Sequence, residues 1–132
     1  MERLTIHTRR PKEVVDITEK VQQIIRSSGL KNGVAFLFVT HTTAALTTAD
    51  LDPGTDLDML DAFEAMMPKL NYRHPHDPEH VTDHILSSLI GPSVAIFVKD
   101  GSPVLGTWQR VVLIETSGPR KRNLLFAAFQ EQ

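Results

Sequence analysis

Apolar and polar positions alternate or recur along the chain in patterns that predict its first elements. RLTIHT, close to the start, alternates in the manner of a half-buried strand. Apolar residues recur at helical spacing over 16–29, which predicts a helix capped by Asp16 and ended by Gly29. The uninterrupted apolar run from Val34 to Val39 predicts a strand buried on both faces. A second extended segment should follow over 42–48.

The segment DPGTDLDMLDAFEAMMPKL predicts a second helix that ends near Pro68. Its acidic residues should face water and interact favourably with the helix N-terminus. Met66 and Met67 are expected to fill gaps in the core. The residues at helical spacing on the expected inner face are Leu57, Leu60, Phe63 and Met67.

A third helix is predicted in the second half of a histidine-rich segment. Asp77 is a suitable N-cap, Pro78 suits the first helical position, and Gly91 should end the helix. A helical wheel places Asp83 opposite the apolar face, so Asp83 should point to water. The residues expected to pack inward are Val81, Ile85 and Leu89.

The last third of the chain is rich in strand-like segments. SVAIFVKD and VLGTWQRVVLIET flank GSP, which predicts a hairpin, and NLLFAAF predicts a final strand. The order of elements, β-α-β-β-α-α-β-β-β, is typical of an α+β fold. We therefore expect residues 1–132 to form one compact domain with packed, largely antiparallel β-sheets and about three helices.

Composition narrows the function classes. Of the residues, 41% are apolar and 23% charged, as in ordinary globular proteins, and there are no cysteines, which excludes disulfides and thiolate chemistry. A net charge of −2 argues against a nucleic-acid partner. No signal-peptide pattern and no bilayer-length apolar run occur, so we expect a cytoplasmic protein without membrane contact.

Four of the six histidines fall in HPHDPEHVTDH, residues 74–84. His80 and His84 are four residues apart, and such a pair on one side of a helix can bind a divalent metal. The alternative for His80 is a solvated residue at the helix start. His84 borders the predicted core, where site and structural roles are both open, and His76 reads as loop surface.

Two further segments carry candidate chemistry. His41 follows a predicted buried strand and precedes two threonines and an alanine, a position where sites are often built, although it could instead stabilise a turn. In GTWQRVVLIET, Gln109 and Glu115 share a face but stand about 20 Å apart in a straight strand, too far to bind one ion. Glu115 lies in an apolar run and needs a partner.

The basic run Arg120–Arg122 lies in a predicted turn. Arginine makes forked, charge-assisted hydrogen bonds to anions, so the run could hold a phosphate. A solvated turn is the alternative. No glycine-rich phosphate loop occurs in the sequence.

Several of these motifs together resemble one family. FVTHTTAALTTAD, YRH, DHILSSLIGPS and GTWQRVVLIETSGPRKR are similar to segments of the YjbQ-like family, also described as secondary thiamine-phosphate synthase enzymes. The resemblance covers nearly the whole chain. It implies a compact α+β fold, a homotrimer, and a site between subunits that carries histidines and a divalent metal.

The resemblance also implies roles for individual residues. Metal ligands would be His41, His74 and His84, a set that suits Zn²⁺ or another transition metal better than Mg²⁺. The implied catalytic residues are His41, His84, Gln109 and Glu115. The implied cofactor-binding residues are Thr42, Thr43, Trp108 and Arg120. The chain departs from the family at TTADLDPGTD, where many members carry an Asn-Glu pair; Asp50 or Asp52 could replace its acid.

Three classes of function follow. The first is a small metal-assisted enzyme that acts on a phosphorylated or otherwise anionic metabolite, with thiamine-phosphate synthase activity as its specific form. The second is a non-catalytic trimer that binds a metabolite or a metal. A structural protein with incidental histidines is a third reading.

Overall fold

Eight strands form two antiparallel sheets, accompanied by three α-helices, in a computed structural model that describes residues 1–132. The larger sheet has the strand order β1-β8-β3-β5-β6 and the smaller one β2-β7-β4. The strands are β1 (Glu2–His7), β2 (Glu13–Asp16), β3 (Gly33–Val39), β4 (Ala44–Ala49), β5 (Ser93–Lys99), β6 (Ser102–Pro103), β7 (Arg110–Glu115) and β8 (Lys121–Gln130). The helices are α1 (Thr18–Ser28), α2 (Thr55–Met66) and α3 (Val81–Ile90). The predicted α+β class is confirmed.

The small sheet is buried on both faces and separates two apolar clusters. Val111 and Leu113 of β7 belong to the main core, together with α1 and the inner face of the large sheet. Val112 and Ile114 face the other way, against Phe63 of α2 and other apolar residues near the helices. Because neighbouring residues of a strand point to opposite faces, β7 connects both clusters. The predicted alternation of β7 is confirmed from Arg110 onward.

Strand β3 is not buried on both faces as predicted. Ala35, Leu37 and Val39 are buried, but Phe36 and Phe38 are 36% and 38% exposed. Helices and the small sheet cover only the inner face of the large sheet, so the outward residues of its strands remain uncovered in the single chain. Paired residues of antiparallel strands lie on the same face. The outer sheet patch thus comprises Val34, Phe36, Phe38, Ala95, Phe97, Leu125, Ala127 and Phe129.

Two strand predictions need correction. Strand β5 pairs with β3 and with the two-residue β6, whereas β7 lies in the small sheet, so the predicted hairpin is wrong apart from its first turn. Strand β2 was not predicted; it pairs with β7. The GTWQ motif is a turn rather than strand, since the N–H of Gln109 donates to the carbonyl of Gly106 (3.1 Å).

The predicted helix ends agree with the structure better than the predicted inner faces of the helices do. Gly29 and Gly91 end α1 and α3 as expected, and Asp77 accepts the N–H of Glu79 at the turn before α3. Asp16 is the last residue of β2, and its carboxylate accepts the N–H of Thr18 (3.0 Å).

The predicted inner faces of α2 and α3 are wrong in part. On α2, Leu57 and Met66 are 54% and 67% exposed, so Met66 does not fill the core. On α3, Leu89 is 70% exposed and Ser87 is the buried residue. Asp83 also turns inward, with its side chain 13% exposed, although it was predicted to point to water. No helix of the structure has the length and apolar character that crossing a membrane requires.

Candidate functional site

The loop Thr116–Arg120, termed the strand-end loop below, joins β7 to β8 and lies beside α3. Its first residue is fixed on both sides: Thr116 Oγ1 donates to the carbonyl of Thr43 (2.8 Å) and lies 3.5 Å from Ser87 Oγ. A Cβ atom on Gly118 would lie 2.3 Å from the carbonyl oxygen of Arg10. Only glycine therefore allows the loop to approach the chain before β2 this closely.

A buried ion pair supports this loop from below. Glu115 and Arg122 are 0% and 1% exposed, and Arg122 binds both carboxylate oxygens, through Nε (2.9 Å) and through Nη2. Thr8 Oγ1 and the N–H of Ser117 donate to the same carboxylate, at 2.6 and 3.1 Å. Arg122 Nη2 also donates to both oxygens of Thr43. The partner that Glu115 was expected to need is Arg122.

The environment holds Glu115 in its charged form. Burial alone would raise the pKa of its carboxyl group, but the hydrogen bonds from Arg122, Thr8 and Ser117 outweigh burial and lower the pKa below its ordinary value. Since its oxygens are already occupied by four donors, Glu115 is suited to positioning Arg122 and the strand-end loop.

His41 lies close to this pair, at the end of β3. Its Nε2 accepts the N–H of Asn123 (3.0 Å), so the proton of a neutral ring is on Nδ1. Burial first, and then the positive charges of Arg122 and Arg120, lower the pKa of His41, while Glu115 acts in the opposite direction. His41 is thus a neutral imidazole beside two arginines.

The histidines of residues 74–84 form a second group at the start of α3. The rings of His74 and His84 stack with centroids 5.1 Å apart, and the ring of His80 meets that of His84 edge-on at 5.3 Å. His80 Nδ1 lies 2.8 Å from Asp83 Oδ2, and His80 Nε2 lies 3.5 Å from Ser117 Oγ. His80 is therefore held by two contacts, with 33% of its side chain exposed.

Lys12 connects the strand-end loop to the histidine group at the start of α3. Its ammonium donates to Asp83 and to the carbonyl of Thr116. Arg120 approaches from the other side, with Nε 2.7 Å from the carbonyl of Ser117 and Nη2 3.3 Å from Ser117 Oγ. Two cations, one imidazole and one hydroxyl thus meet where the strand-end loop touches α3.

Comparison with known proteins identifies the group to which this chain is related. The family model "UPF0047 protein YjbQ-like" matches residues 2–131. The chain belongs to the YjbQ family. Among its relatives, UPF0047 protein MJ1081 of Methanocaldococcus jannaschii is 40% identical over 118 residues, covering 89% of this chain and 85% of the relative. UPF0047 protein YugU of Bacillus subtilis is 34% identical, covering 90% and 91%.

Solved structures of YjbQ-like proteins share the fold. The hypothetical protein APE1520 of Aeropyrum pernix superposes with a TM-score of 0.89 at 32% identity, covering 98% of each chain. A YbjQ-like protein of unknown function from Sulfolobus solfataricus, SSO2532, gives 0.85 at 34% identity, covering 93% of this chain and 91% of the other. The resemblance inferred from the motifs is confirmed, and these relatives carry family names rather than names of reactions.

In this YjbQ-family chain, the predicted site residues fall into three places. Glu115 belongs to the buried ion pair and Thr43 accepts from its partner Arg122, with His41 beside them and exposed Thr42 next in sequence. His74 and His84 meet at the start of α3. Arg120 lies between these two places, bound to Ser117.

Gln109 and Trp108 stand apart from the other predicted residues, at the start of β7. Gln109 Nε2 donates to Thr48 Oγ1 (3.1 Å), and its Oε1 accepts the N–H of Gly106 (3.0 Å). Trp108 is 71% exposed and lines a cavity of about 270 Å³ together with Asp50 and Asp52. Gln109 thus stabilises the turn before β7, and β7 separates it from Glu115 at the other end of the strand.

Reading the sequence alone missed Lys12, Asp83 and Ser117 as residues of the contact region, and it placed Arg122 in a turn, whereas Arg122 is buried in β8. The sequence contained a signal for the role of Arg122, because a buried glutamate in β7 required a cation nearby in space. Lys12 had none, since its partners Asp83 and Thr116 are 71 and 104 residues away in the YjbQ-family chain.

Proposed function

We propose that this YjbQ-family protein is a small enzyme that acts on a phosphorylated or otherwise anionic metabolite. The observation that supports it is the meeting of Lys12, Arg120 and His80 at the strand-end loop. Cations bind the oxygens of anionic groups and stabilise charge that develops on them. An imidazole can transfer a proton near neutral pH. Thiamine-phosphate synthase activity, implied by the family resemblance, is the specific form of this proposal.

The charge around His41 supports binding of an anion nearby. Arg120 and Arg122 both lower the pKa of His41, so this end of β3 lies in a positive field. Arg122 is committed to Glu115, whereas the side chain of Arg120 bonds only within the strand-end loop. Arg120 is thus the arginine that can donate to a ligand, and cofactor-binding is the role proposed for it.

A non-catalytic binding protein is the second candidate. It would need the same cations, but it would not need a histidine whose proton position is fixed by a carboxylate. His80 is oriented by Asp83, as is usual for histidines that transfer protons. This contact favours the enzyme. A cytoplasmic location stays a prediction from the sequence.

Arg120→Gln should weaken binding of inorganic pyrophosphate about 10-fold or more, because a charge-assisted hydrogen bond to an anion is lost. Calorimetric titration measures the dissociation constant. Arg26→Gln, which removes an exposed arginine on α1, is the matched control and should have no effect. The specific activity is tested by product formation from the pyrimidine pyrophosphate and the thiazole phosphate, which should fall in Arg120→Gln alone. Equal affinities in both variants would contradict the proposed anion site.

The three-histidine metal set does not fit this chain as predicted. His74 and His84 are close enough to act together, but the Nε2 of His41 is occupied by the N–H of Asn123 and its Nδ1 carries the proton. No group of three or more His, Asp or Glu side chains has metal-binding geometry. We therefore derive no catalytic step through a metal. Binding of Zn²⁺ or another transition-metal ion by His74 and His84 is kept as a proposal, and it requires a further ligand besides these two histidines.

The affinity of the chain for Zn²⁺ should depend on His74 and His84 but not on His41. His84→Ala should weaken Zn²⁺ binding about 10-fold or more, because it removes one of two imidazoles. His41→Ala should leave the dissociation constant within about 2-fold. Competition with a fluorescent chelator, on protein without a histidine tag, measures both values. Equal losses in His41→Ala, His74→Ala and His84→Ala would restore the predicted three-histidine site.

We also propose that the protein forms a homotrimer through the outer sheet patch. Phe97 and Phe129 are 73% and 60% exposed in the single chain, and Val34 lies between them in register. Contiguous apolar surface of this kind is typical of a subunit interface. The patch is bordered on β1 by the polar residues Arg3, Thr5 and His7, as interface rims are. The number of three comes from the family resemblance.

A further inference from the structure

A serine, a histidine and an aspartate lie in series at the contact between the strand-end loop and α3. Ser117 Oγ is 3.5 Å from His80 Nε2, and His80 Nδ1 is 2.8 Å from Asp83 Oδ2. A hydroxyl within reach of an imidazole that a carboxylate orients is the arrangement that activates a serine nucleophile. Distances of this size tighten when substrate binds. We propose that Ser117 and His80 are catalytic residues of an esterase activity, with Asp83 as their positioning residue.

The surroundings of Asp83 support its role. Its side chain is only 13% exposed, and its other oxygen, Oδ1, accepts from Lys12, which also holds the carbonyl of Thr116. The carboxylate is thus fixed in place, with Oδ2 directed at His80. Because Oδ2 accepts the proton on His80 Nδ1, the lone pair of Nε2 faces Ser117.

Arg120 supplies the group that stabilises negative charge. Its Nη2 lies 3.3 Å from Ser117 Oγ, so its donors are beside the atom from which attack begins. The backbone N–H of Gly118 is unsuitable, since it donates to the carbonyl of Pro11 (3.0 Å). A guanidinium in this position can bind the oxyanion of a tetrahedral intermediate.

An adjoining cavity indicates the class of substrate. It has a volume of about 470 Å³ and is lined by Asp83 and by Thr116, the residue before Ser117. Between α2 and α3 it is lined by the apolar residues Leu57, Leu60, Phe63 and Leu86, and α2 also places the carboxylates of Asp61 and Glu64 there. The apolar side chains favour an acyl group, and the carboxylates would repel the charged oxygens of a phosphoryl group. The proposed substrate of this esterase activity is therefore a carboxylic ester with an apolar acyl group.

The reaction has two balanced steps. Ser117 Oγ attacks the ester carbonyl and gives its proton to His80 Nε2; the carbon–oxygen bond to the alcohol then breaks, and the alcohol leaves with that proton. Water attacks the acyl-serine in the second step and gives a proton to His80. The serine recovers this proton as the carboxylic acid is released.

The test is covalent labelling of the full-length protein with a fluorophosphonate, located by mass spectrometry, together with hydrolysis of p-nitrophenyl butyrate. We expect an adduct on Ser117, loss of both signals in Ser117→Ala, and at least a 100-fold slower labelling rate in His80→Gln. Ser27→Ala is the control, since that hydroxyl bonds only carbonyls of its own helix. An unlabelled Ser117 in the folded wild-type protein, or equal rates in His80→Gln, would overturn the proposal.

Failure of this inference is distinguishable from failure of the proposed anion site. Ser117→Ala retains Arg120, so its pyrophosphate affinity should remain within about 3-fold of the wild-type value, since only a neutral contact is removed. Labelled Ser117 in a protein that does not bind pyrophosphate would support the esterase and reject the anion site. Pyrophosphate binding without labelling would do the reverse.

Discussion

Replacing Glu115 with alanine should lower the free energy of unfolding by about 3–5 kcal/mol, because it leaves the guanidinium of Arg122 buried without its counter-ion. Both side chains are at most 1% exposed, so water cannot take the place of the lost carboxylate. Arg122→Ala should have an effect of the same size, as it leaves the carboxylate unpaired. Urea unfolding followed by circular dichroism measures both changes.

The matched control is the exposed ion pair of Arg110 and Asp16, whose side chains are 38% and 36% exposed. Arg110→Ala should cost under about 1 kcal/mol, since solvent screens this pair. The double variant with Glu115→Leu and Arg122→Met should be more stable than the sum of the two alanine effects predicts, because neither charge remains buried. Single-variant losses no larger than the Arg110→Ala control would contradict the role assigned to the buried pair.

Phe97→Asp and Phe129→Asp should each convert the proposed trimer, of about 44 kDa from three chains of 14.8 kDa, into monomers. Each phenylalanine contributes about 1.5–3 kcal/mol when it is buried, once for every subunit, and a carboxylate in its place would have to be desolvated. Sedimentation equilibrium over a range of protein concentrations measures the mass.

Met66→Asp is the control for this experiment. Met66 is 67% exposed, as the sheet phenylalanines are, but it lies on α2 and outside the outer sheet patch. Its replacement should leave the mass unchanged. A wild-type protein that sediments at 14.8 kDa at every concentration would disprove assembly through the patch, and dissociation in Met66→Asp as well would show that the effect is not specific to the sheet.

Local chemistry made much of the fold predictable. Gly29 and Gly91 end their helices because glycine adopts positive φ angles readily, and Asp77 caps the turn before α3 with its own carboxylate. Alternation identified β1 and the part of β7 that begins at Arg110. Glu115 predicted the buried pair, because burying an isolated charge in an apolar strand is too unfavourable in free energy.

The orientation of α3 was not predictable from its own residues. Its apolar residues Val81, Ile85 and Leu89 suggested an inner face, yet Leu89 is exposed while Asp83 and Ser87 turn inward. Lys12 contacts Asp83, and Thr116 lies beside Ser87, and both come from distant parts of the chain. The helical wheel contains no information about such long-range contacts, and so it directed Asp83 to water.

Strand β8 carries two sets of residues on opposite faces of the sheet, and the number of residues in the strand decides which face each set occupies. Arg122, Leu124 and Phe126 face inward, while Leu125 and Phe129 lie on the outer sheet patch. Gain or loss of a single residue within the strand would exchange the two faces, exposing the ion-paired arginine and burying the side chains of the outer sheet patch. Evolution can change the identity of these residues one at a time, but the length of β8 is constrained to change only outside the strand.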